Sequence, residues 1–174
     1  MPERPARLSG GKPKAASGRT SVLFVCAGNI CRSPLAEGIF LHLASQAKAA
    51  HLFRVDSAGT GAWHAGHAPD RRAISAAEKR GVFLPSLARQ ITVEDFTAFD
   101  FILAMDRDNI QNLTLVSPPG ATARVQLIRK YDPEASQGAE IGDPYYGDQQ
   151  DFEEVFLQLE KACRGFLGSV LDPS

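Results

Sequence analysis

Apolar residues along the chain fall into two alternating kinds of run, short continuous runs and longer runs with helical spacing. The short runs predict buried strands at residues 22–25, 52–55, 101–105 and 125–128. The spaced runs predict helices from Pro34 onward and at residues 70–80, 106–115 and 152–170. Strands that alternate with helices favour an α/β fold, a parallel sheet with helices on both faces.

The segments outside these elements are polar and rich in glycine and proline, which predicts loops. Two such loops are long, at residues 57–69 and 131–151. Residues 1–20 have little to bury and predict a disordered basic tail, with five basic side chains, one acidic side chain and a net charge of +4. A solvated leader is favoured over a docking arm. We therefore expect a single domain at residues 21–174.

Composition narrows the function classes. The net charge of −1 creates no overall field that would favour nucleic acid or an anionic membrane. The sequence has no apolar run of about 18 residues and no apolar segment after its first arginines, so neither a membrane span nor a signal peptide is predicted. Three cysteines do not make a disulfide framework. We expect a cytoplasmic protein, although export by another route stays open.

The loop after the first strand holds the clearest chemistry, Cys26-Ala27-Gly28-Asn29-Ile30-Cys31-Arg32-Ser33-Pro34. In parallel α/β sheets, ligands bind beyond the carboxyl ends of the strands. Unpaired N–H groups at the start of the following helix favour an anion. Gly28 and Asn29 tolerate positive φ, so the loop can curl its amides into an anion-binding nest. Residues 27–33 are therefore predicted to bind a phosphate dianion.

Cys26 and Arg32 open and close this loop. A thiol that faces backbone amides and a guanidinium loses its proton easily, and the resulting thiolate is a nucleophile at neutral pH. The planar fork of Arg32 can hold two phosphoryl oxygens at once. The alternative is a structural cysteine buried under a glycine turn. The spacing at a strand–loop–helix junction favours covalent catalysis.

Phosphoryl transfer to a thiolate also needs a general acid for the leaving group. Asp143, fixed by the following Pro144, is the preferred candidate because aromatic residues follow it. Asp132 in a second Asp-Pro pair is the rival. Trp63, Tyr145 and Tyr146 are predicted to wall a slot for an aryl phosphate, the alternative being ordinary partly buried aromatic side chains.

The remaining cysteines and histidines add little to this site. Cys31 lies five residues after Cys26, and either traps oxidised Cys26 as a disulfide or is a small buried residue. Cys163 falls on the apolar face of the last helix and is predicted to belong to the core. His64 and His67 lack the spaced partners of a metal site. No metal and no cofactor are expected.

Two segments resemble the low-molecular-weight protein tyrosine phosphatases. Residues 25–34, followed by Ala36-Glu37, resemble the phosphate loop of that family, and Asp143-Pro144-Tyr145-Tyr146 resembles its general-acid loop. Shorter similar stretches are residues 56–60, Trp63 and residues 99–106, so the resemblance extends over residues 21–170. It implies a four-stranded parallel sheet, a metal-free reaction and a phosphoenzyme formed on Cys26.

The same resemblance implies roles for individual residues. Asp143 would protonate the leaving group and then activate water, and Asn29 would adopt a left-handed conformation. Ser33 would hydrogen-bond the Cys26 thiolate, and Cys31 would be its protective disulfide partner. The substrate slot would be bordered by Trp63, Tyr145 and Tyr146.

The resemblance also bears on specificity. Ile30 is similar to the tyrosine-directed branch, whereas the related arginine phosphatases carry threonine at this position. Ala27 is smaller than the usual leucine or threonine and predicts a wider pocket mouth. Trp63-His64 and residues 146–148 resemble bacterial members. The expected partners are phosphotyrosine-containing proteins, with a cognate tyrosine kinase as a further candidate.

Three other functions compete with a phosphatase. A thiol-dependent arsenate reductase needs more cysteines on a mobile segment, and the sequence has none between Cys31 and Cys163. A phosphocarrier has no need of Arg32 or of a leaving-group acid such as Asp143. A phosphate- or flavin-binding module would leave Cys26 dispensable.

Overall fold

Four parallel strands form the centre of the computed structural model, which describes residues 18–173. They are β1 (Thr20–Cys26), β2 (Phe53–Gly59), β3 (Phe101–Ala104) and β4 (Arg124–Leu127). The order across the sheet is β2-β1-β3-β4, and every pair is parallel. The chain therefore winds outward from β1 in both directions, and the topological switch point lies between β1 and β3.

Helices cover both faces of this sheet, which confirms the predicted fold class. The α-helices are α1 (Arg32–Gln46), α2 (Arg71–Glu78), α3 (Asp95–Ala98), α4 (Arg107–Val116) and α5 (Gln149–Leu171). Short 3₁₀ turns occupy Ala50–Leu52 and Ile128–Tyr131. Within residues 18–173, no helix combines the length and apolarity needed to cross a membrane.

The two faces of the sheet carry separate apolar clusters because side chains alternate along a strand. Val22 and Phe24 of β1 point to one face and pack with residues of α1, α2 and α5. Leu23 and Val25 point to the other face and pack with α3 and α4. All seven residues of β1 are buried, so the strand that ends at Cys26 is the most protected part of the sheet.

Several predicted boundaries were wrong. Leu52 and Ile128, predicted as strand residues, lie in the 3₁₀ turns. The loop predicted from Ser57 begins later, because pairing with β1 extends β2 to Gly59. The last helix begins at Gln149 instead of Phe152, since the Asp148 carboxylate caps it by accepting from the Asp151 N–H. The four-residue α3 was missed because so short a helix leaves no periodic pattern.

The start of the chain is described only in part. Residues 1–17 of the predicted tail lie outside the described residues. Within the described part, β1 begins at Thr20, one residue before the predicted domain start, and Thr20 is buried.

Candidate active site

Asn29 fixes the curved conformation of the loop that joins β1 to α1. Its φ of +59° is the left-handed conformation that the resemblance implied. The Asn29 side-chain amide donates to Ser33 Oγ at 2.8 Å and to Ser57 Oγ at 3.0 Å, and its oxygen accepts from the Arg89 N–H at 2.9 Å. These bonds connect the loop to α1, to β2 and to the segment after α2, so its curvature is fixed from three sides.

Gly28 was predicted to give the loop a residue with positive φ, but its role in the structure is a different one. It is not among the described glycines with positive φ, so the predicted left-handed freedom is not used. A Cβ at this position would instead lie 3.0 Å from His64 Cδ2. The absence of a side chain therefore lets the His64 imidazole lie against the loop, a contact that the sequence analysis missed.

The Cys26 thiol sits at the carboxyl end of β1 and is almost completely buried. Its Sγ lies 3.0 Å from Ser33 Oγ and accepts from the Ser33 N–H at 3.4 Å. Ser33 Oγ accepts a hydrogen bond from Asn29, and its own proton has two acceptors within reach, the sulfur at 3.0 Å and the Ala58 carbonyl at 3.4 Å. The shorter distance favours the sulfur, so both the hydroxyl and the N–H of Ser33 are placed to donate to Cys26.

The Arg32 guanidinium is buried beside the same loop, at the first position of α1. Its Nη1 donates to Asp106 Oδ2 at 2.7 Å and to the Ile141 carbonyl at 2.8 Å, while Nη2 lies 3.8 Å from Asp143 Oδ2. Burial disfavours the charged form, but the negative Cys26 and the two aspartates outweigh it and raise the pKa of Arg32. A fixed cation therefore faces the floor of the cleft.

Asp106 holds Arg32 in place, a role that was not predicted, although Asp106 ends one of the stretches that resemble the family. It follows β3 and caps α4, with Oδ1 accepting from the Asn109 N–H at 2.8 Å and Oδ2 bound to Arg32. The strand order brings the ends of β1 and β3 together, so Asp106 lies across the switch point from Cys26. An acid directly after a buried strand was the signal that could have identified it.

A buried carboxylate supports the loop from behind. Glu37 accepts from Ser57 Oγ and from Ser86 Oγ, both at 2.7 Å. Because Ser57 Oγ accepts from Asn29, which in turn donates to Ser33, a chain of hydrogen bonds connects Glu37 to the thiol. Burial raises the pKa of Glu37 above its ordinary value. This network was not predicted, although the position of Glu37 one turn after Ser33 places both on one helix face.

Asp143 stands at the rim of the cleft and is about half exposed, with 48% of its side chain accessible. Its Oδ1 accepts from the Tyr145 N–H at 3.1 Å, which turns Oδ2 toward Arg32. Arg72 holds the segment that follows by donating to the carbonyls of Tyr145 and Gly147, each at 3.0 Å. The carboxylate is thus aimed into the cleft yet reachable by water.

The rival Asp132 is placed elsewhere. It is buried, it accepts from the Glu134 N–H at 2.9 Å, and it lies 3.6 Å from Arg129 Nε. It does not line the cleft around Cys26. Of the two Asp-Pro pairs in the loop at residues 131–151, only the one at Asp143 brings a carboxylate into the cleft that holds the thiol.

Aromatic side chains border the cleft, which has a volume of about 330 Å³. The three predicted aromatic residues line it together with His64. The rings of Tyr145 and Tyr146 meet edge to face at 4.9 Å, and His64 lies 6.2 Å from Tyr145. Trp63 is 71% exposed and folds against Gly61, where a Cβ would collide with its ring. The opening is therefore bordered by aromatic side chains.

The family model for low molecular weight phosphotyrosine protein phosphatases matches residues 21–172. The chain belongs to this family. A human low molecular weight phosphotyrosine protein phosphatase is 45% identical over 149 residues, which cover 84% of this chain and 93% of the relative.

Solved structures agree with this assignment. YfkJ from Bacillus subtilis has a TM-score of 0.82 and 38% identity, covering 90% of this chain and 97% of its own. The Drosophila arginine phosphatase has a TM-score of 0.80 and 33% identity, covering 88% of this chain and 99% of its own. The predicted resemblance to the tyrosine phosphatase family is confirmed, and a bacterial protein is among the matching structures.

Gly59 shows how closely this phosphatase packs its phosphate loop. It ends β2 beside the loop, where a Cβ would lie 2.7 Å from the Ala27 carbonyl oxygen and 3.1 Å from the Gly28 carbonyl carbon. Only glycine allows the two backbones to approach this closely. No local pattern in the sequence predicted this contact.

The other two thiols of the phosphatase differ in position. Cys31 lies beside Cys26 in the wall of the cleft, and the two are unpaired. Burial, assisted by the negative charges of Asp70, Cys26 and Asp143, raises the pKa of Cys31. Cys163 is fully buried and donates to the Ala36 carbonyl at 3.7 Å, as expected for a core residue. Among residues 18–173, no group of three His, Cys, Asp or Glu side chains could hold a metal ion.

Proposed function

We propose that this chain hydrolyses phosphotyrosine in proteins through a cysteinyl-phosphate intermediate. Cys26 is the nucleophile, Arg32 binds the phosphoryl group and Asp143 is the general acid and base. The observation that supports this best is the meeting of three groups in one cleft. A buried thiol with two hydrogen-bond donors, a fixed guanidinium and a carboxylate at the rim face the same space.

In the first step, Cys26 Sγ attacks phosphorus and the bond from phosphorus to the tyrosyl oxygen breaks. Asp143 donates its proton to the departing phenolate, so a neutral phenol leaves. The N–H groups of residues 27–32 and the Nη2 of Arg32 receive the phosphoryl oxygens, and the Ser33 N–H stays directed at the sulfur. Because Nη1 is already occupied by Asp106 and Ile141, the guanidinium plane does not have to be ordered during the reaction.

In the second step, water attacks the phosphocysteine and the sulfur–phosphorus bond breaks. Asp143, now ionised, accepts the proton of that water. The thiolate that departs regains the hydrogen bonds from the Ser33 hydroxyl and N–H. The partial exposure of Asp143 suits this step, since water can reach it without a further opening of the cleft.

An aromatic ester is the substrate that best fits the entrance. The thiol is buried at the floor, and Trp63, Tyr145 and Tyr146 border the mouth, so a flat aromatic group that carries the phosphate can stack in the entrance. Phosphoserine has no ring to stack against these aromatic side chains. Ile30 lines the same wall and favours tyrosine over arginine, although an arginine phosphatase shares the fold. Phosphotyrosine-containing proteins are thus the proposed partners, and a cognate kinase is the source of such substrates.

The competing thiol chemistry has less support. A reductase would need a third thiol able to move to the cleft, and the remaining cysteine, Cys163, is packed under α1 against Ala36. A carrier or a binding module would have no use for a carboxylate aimed at the phosphate site, as Asp143 is.

Reversible oxidation is a further part of the proposal. Peroxide oxidises the Cys26 thiolate to sulfenic acid, and condensation with the Cys31 thiol forms a disulfide and releases water. We expect dithiothreitol to restore nearly all activity after brief peroxide treatment. Cys31→Ser should leave the loss largely irreversible. Equal recovery in both proteins would contradict this role of Cys31.

The deciding assay compares hydrolysis of matched phosphotyrosine, phosphoserine and phosphoarginine peptides, with and without a chelator, beside arsenate reduction with a thiol donor. A strong preference for phosphotyrosine supports the proposal. Activity confined to phosphoarginine or arsenate would contradict the substrate assignment. The proposal also places the catalytic domain at residues 21–174, a basic tail at 1–20 and the protein in the cytoplasm, where its three thiols stay reduced.

A further inference from the structure

A second depression adjoins the catalytic cleft on the outer side of Trp63. This side groove, defined by Trp63, Gln90, Ile91, Val93, Leu115 and Val116, has a volume of about 650 Å³. It lies between the end of α4 and the segments that follow β2 and α2. It is roughly twice as large as the catalytic cleft, so it can receive more than one side chain.

Apolar side chains with high exposure form the rim of the side groove. Leu115 is 78% exposed, and Trp63, Val93 and Val116 are each at least half exposed. Contiguous exposed apolar side chains of this kind mark interaction sites on soluble proteins. None of the residues that line the groove is charged, so it offers nothing to a phosphate, an acidic peptide or a nucleic acid. Its chemistry fits an apolar, uncharged segment.

The floor of the side groove is built into the fold. Ile91 N–H donates to the Gly59 carbonyl at 2.8 Å, and the Gln90 side chain donates to the Thr60 carbonyl at 3.1 Å. Gly61 N–H donates to the Ala27 carbonyl of the phosphate loop at 3.0 Å. The groove is therefore held in place relative to the phosphate site, so an occupant would bind a preformed surface.

Trp63 is a wall of both depressions. A phosphotyrosine side chain that enters the cleft leaves its own backbone at the rim. Because an extended chain advances by about 3.3–3.6 Å per residue, the neighbouring residues on that side pass Trp63 directly. We propose that the side groove binds apolar residues that flank the phosphotyrosine of protein substrates, which rests on the function proposed above.

Two other occupants fit less well. Residues 1–20 carry a charge of +4, and the lining of the groove holds no carboxylate to pair with it. A second copy of the chain would need a larger surface, since stable interfaces use about 20–30 residues per side and the groove offers eleven. It would also cover the cleft that shares Trp63.

The test uses the full chain and three substrates. Two phosphotyrosine peptides of equal length carry either leucine or serine on both sides of the phosphotyrosine, and para-nitrophenyl phosphate has no flanking residues. Leu115→Ser and Val93→Ser alter the groove at exposed positions that folding does not need. Phe83→Ser is the control, because Phe83 is also 78% exposed but lines neither depression.

The wild type should prefer the leucine-flanked peptide, and Leu115→Ser should lower its kcat/KM for that peptide about fivefold, the effect of partly burying one leucine. The loss should appear in KM. Val93→Ser should act in the same direction. Hydrolysis of the serine-flanked peptide and of para-nitrophenyl phosphate should stay within about twofold in every variant, and Phe83→Ser should change nothing.

Other results would overturn the proposal. If the wild type hydrolysed all three substrates without a preference for the flanking residues, the groove would not be a substrate-binding site. The same would follow if the groove variants lost kcat/KM equally on all three substrates. Either result would leave the proposed phosphatase function intact. Self-association that Leu115→Ser abolishes in sedimentation velocity would assign the groove to a second copy. A higher kcat/KM for the leucine-flanked peptide after deletion of residues 1–17 would assign it to the tail. Failure of the wild type on every substrate would overturn both proposals.

Discussion

The floor of the catalytic cleft, formed by Cys26, Asn29 and Arg32, is held differently from its aromatic wall, the mostly exposed segment at residues 143–146. The floor is buried, and two of its functional side chains are bonded to elements distant in sequence, Asn29 to Ser57 and Arg89 and Arg32 to Asp106 and Ile141. The wall is exposed, and Asp143 is oriented mainly by a bond within its own turn, to Tyr145. At the tip of the wall, Tyr146 is 95% exposed.

This difference separates the two tasks of the site. Phosphate is the same in every substrate, so a rigid floor at the end of the central strand suits it. The group that carries the phosphate varies, and it meets the exposed aromatic side chains, where a substitution disturbs few buried contacts. Arg72 is the main connection between the wall and the rest of the fold, through the carbonyls of Tyr145 and Gly147.

The strongest test of the floor is Cys26→Ser. We expect turnover to fall by roughly 10⁴-fold or more, as when other catalytic nucleophiles are removed. Phosphate should still bind, because the amides and Arg32 remain in place, and isothermal titration with inorganic phosphate would measure this. Substantial turnover by the serine variant would contradict covalent catalysis on Cys26.

Asp143→Ala tests the wall. We expect a loss of roughly 10²–10⁴-fold in kcat for substrates with poor leaving groups, since a positioned general acid contributes that much. For aryl phosphates whose leaving phenol has a low pKa, the rate of the first step should fall far less, because such a phenolate departs without needing a proton. Asp108→Ala, at an exposed position in α4, is the control. An equal loss for all leaving groups would remove Asp143 from the acid role.

Asp106→Asn tests whether activity depends on the ion pair that holds the Arg32 guanidinium in place. We expect kcat/KM to fall about tenfold, because the charge-assisted bond of Arg32 becomes a neutral one. Inhibition by inorganic phosphate should weaken in parallel. Asp148→Asn is a matched control, since Asp148 also caps a helix but does not contact Arg32. The same loss of activity in both variants would show an effect of helix capping alone.

The smallest expected effect concerns stability and comes from Glu37. Its raised pKa means that the folded protein binds this proton more tightly than the unfolded chain does. The associated stability is present below the ordinary pKa of about 4.5 and is lost as pH rises through the folded pKa. In the Glu37→Gln variant, the free energy of unfolding should therefore decrease less than in the wild type as pH rises over that range.

Urea unfolding at several pH values would measure this change. Glu94→Gln, at an exposed position, serves as the control. If the variant and the wild type lost stability in parallel over that range, the buried carboxyl would not titrate as proposed.

The central strands could be read from the sequence because they are continuous apolar runs, and the site could be read because it is one contiguous loop. Cys26, Asn29, Arg32 and Ser33 all lie between β1 and the first turn of α1. Asp143 was preferred over Asp132, which stands in an equivalent Asp-Pro pair, because aromatic residues follow it, and Asp143 is the one that lines the cleft. In these cases, residues close together in the sequence determine how the side chains are arranged in the site.

The residues that were missed lie far from the loop in sequence. Asp106 reaches Arg32 only because β3 is placed beside β1, and strand order does not appear in any local pattern. Ser57 was predicted in a loop and instead lies in β2, paired with Phe24, so its bond to Glu37 could not be foreseen. Tertiary placement, and not propensity, decided both.

The tight contact at Gly59 has a consequence for how the protein can change. Any side chain there would displace the phosphate loop, whereas Tyr146 and Leu115 have room around them. A saturation library of this chain should therefore lose nearly all active members at Gly59 and retain most at the other two positions. New substrate preferences can then accumulate by variation at the rim, while the machinery that cleaves the phosphate ester is inherited unchanged.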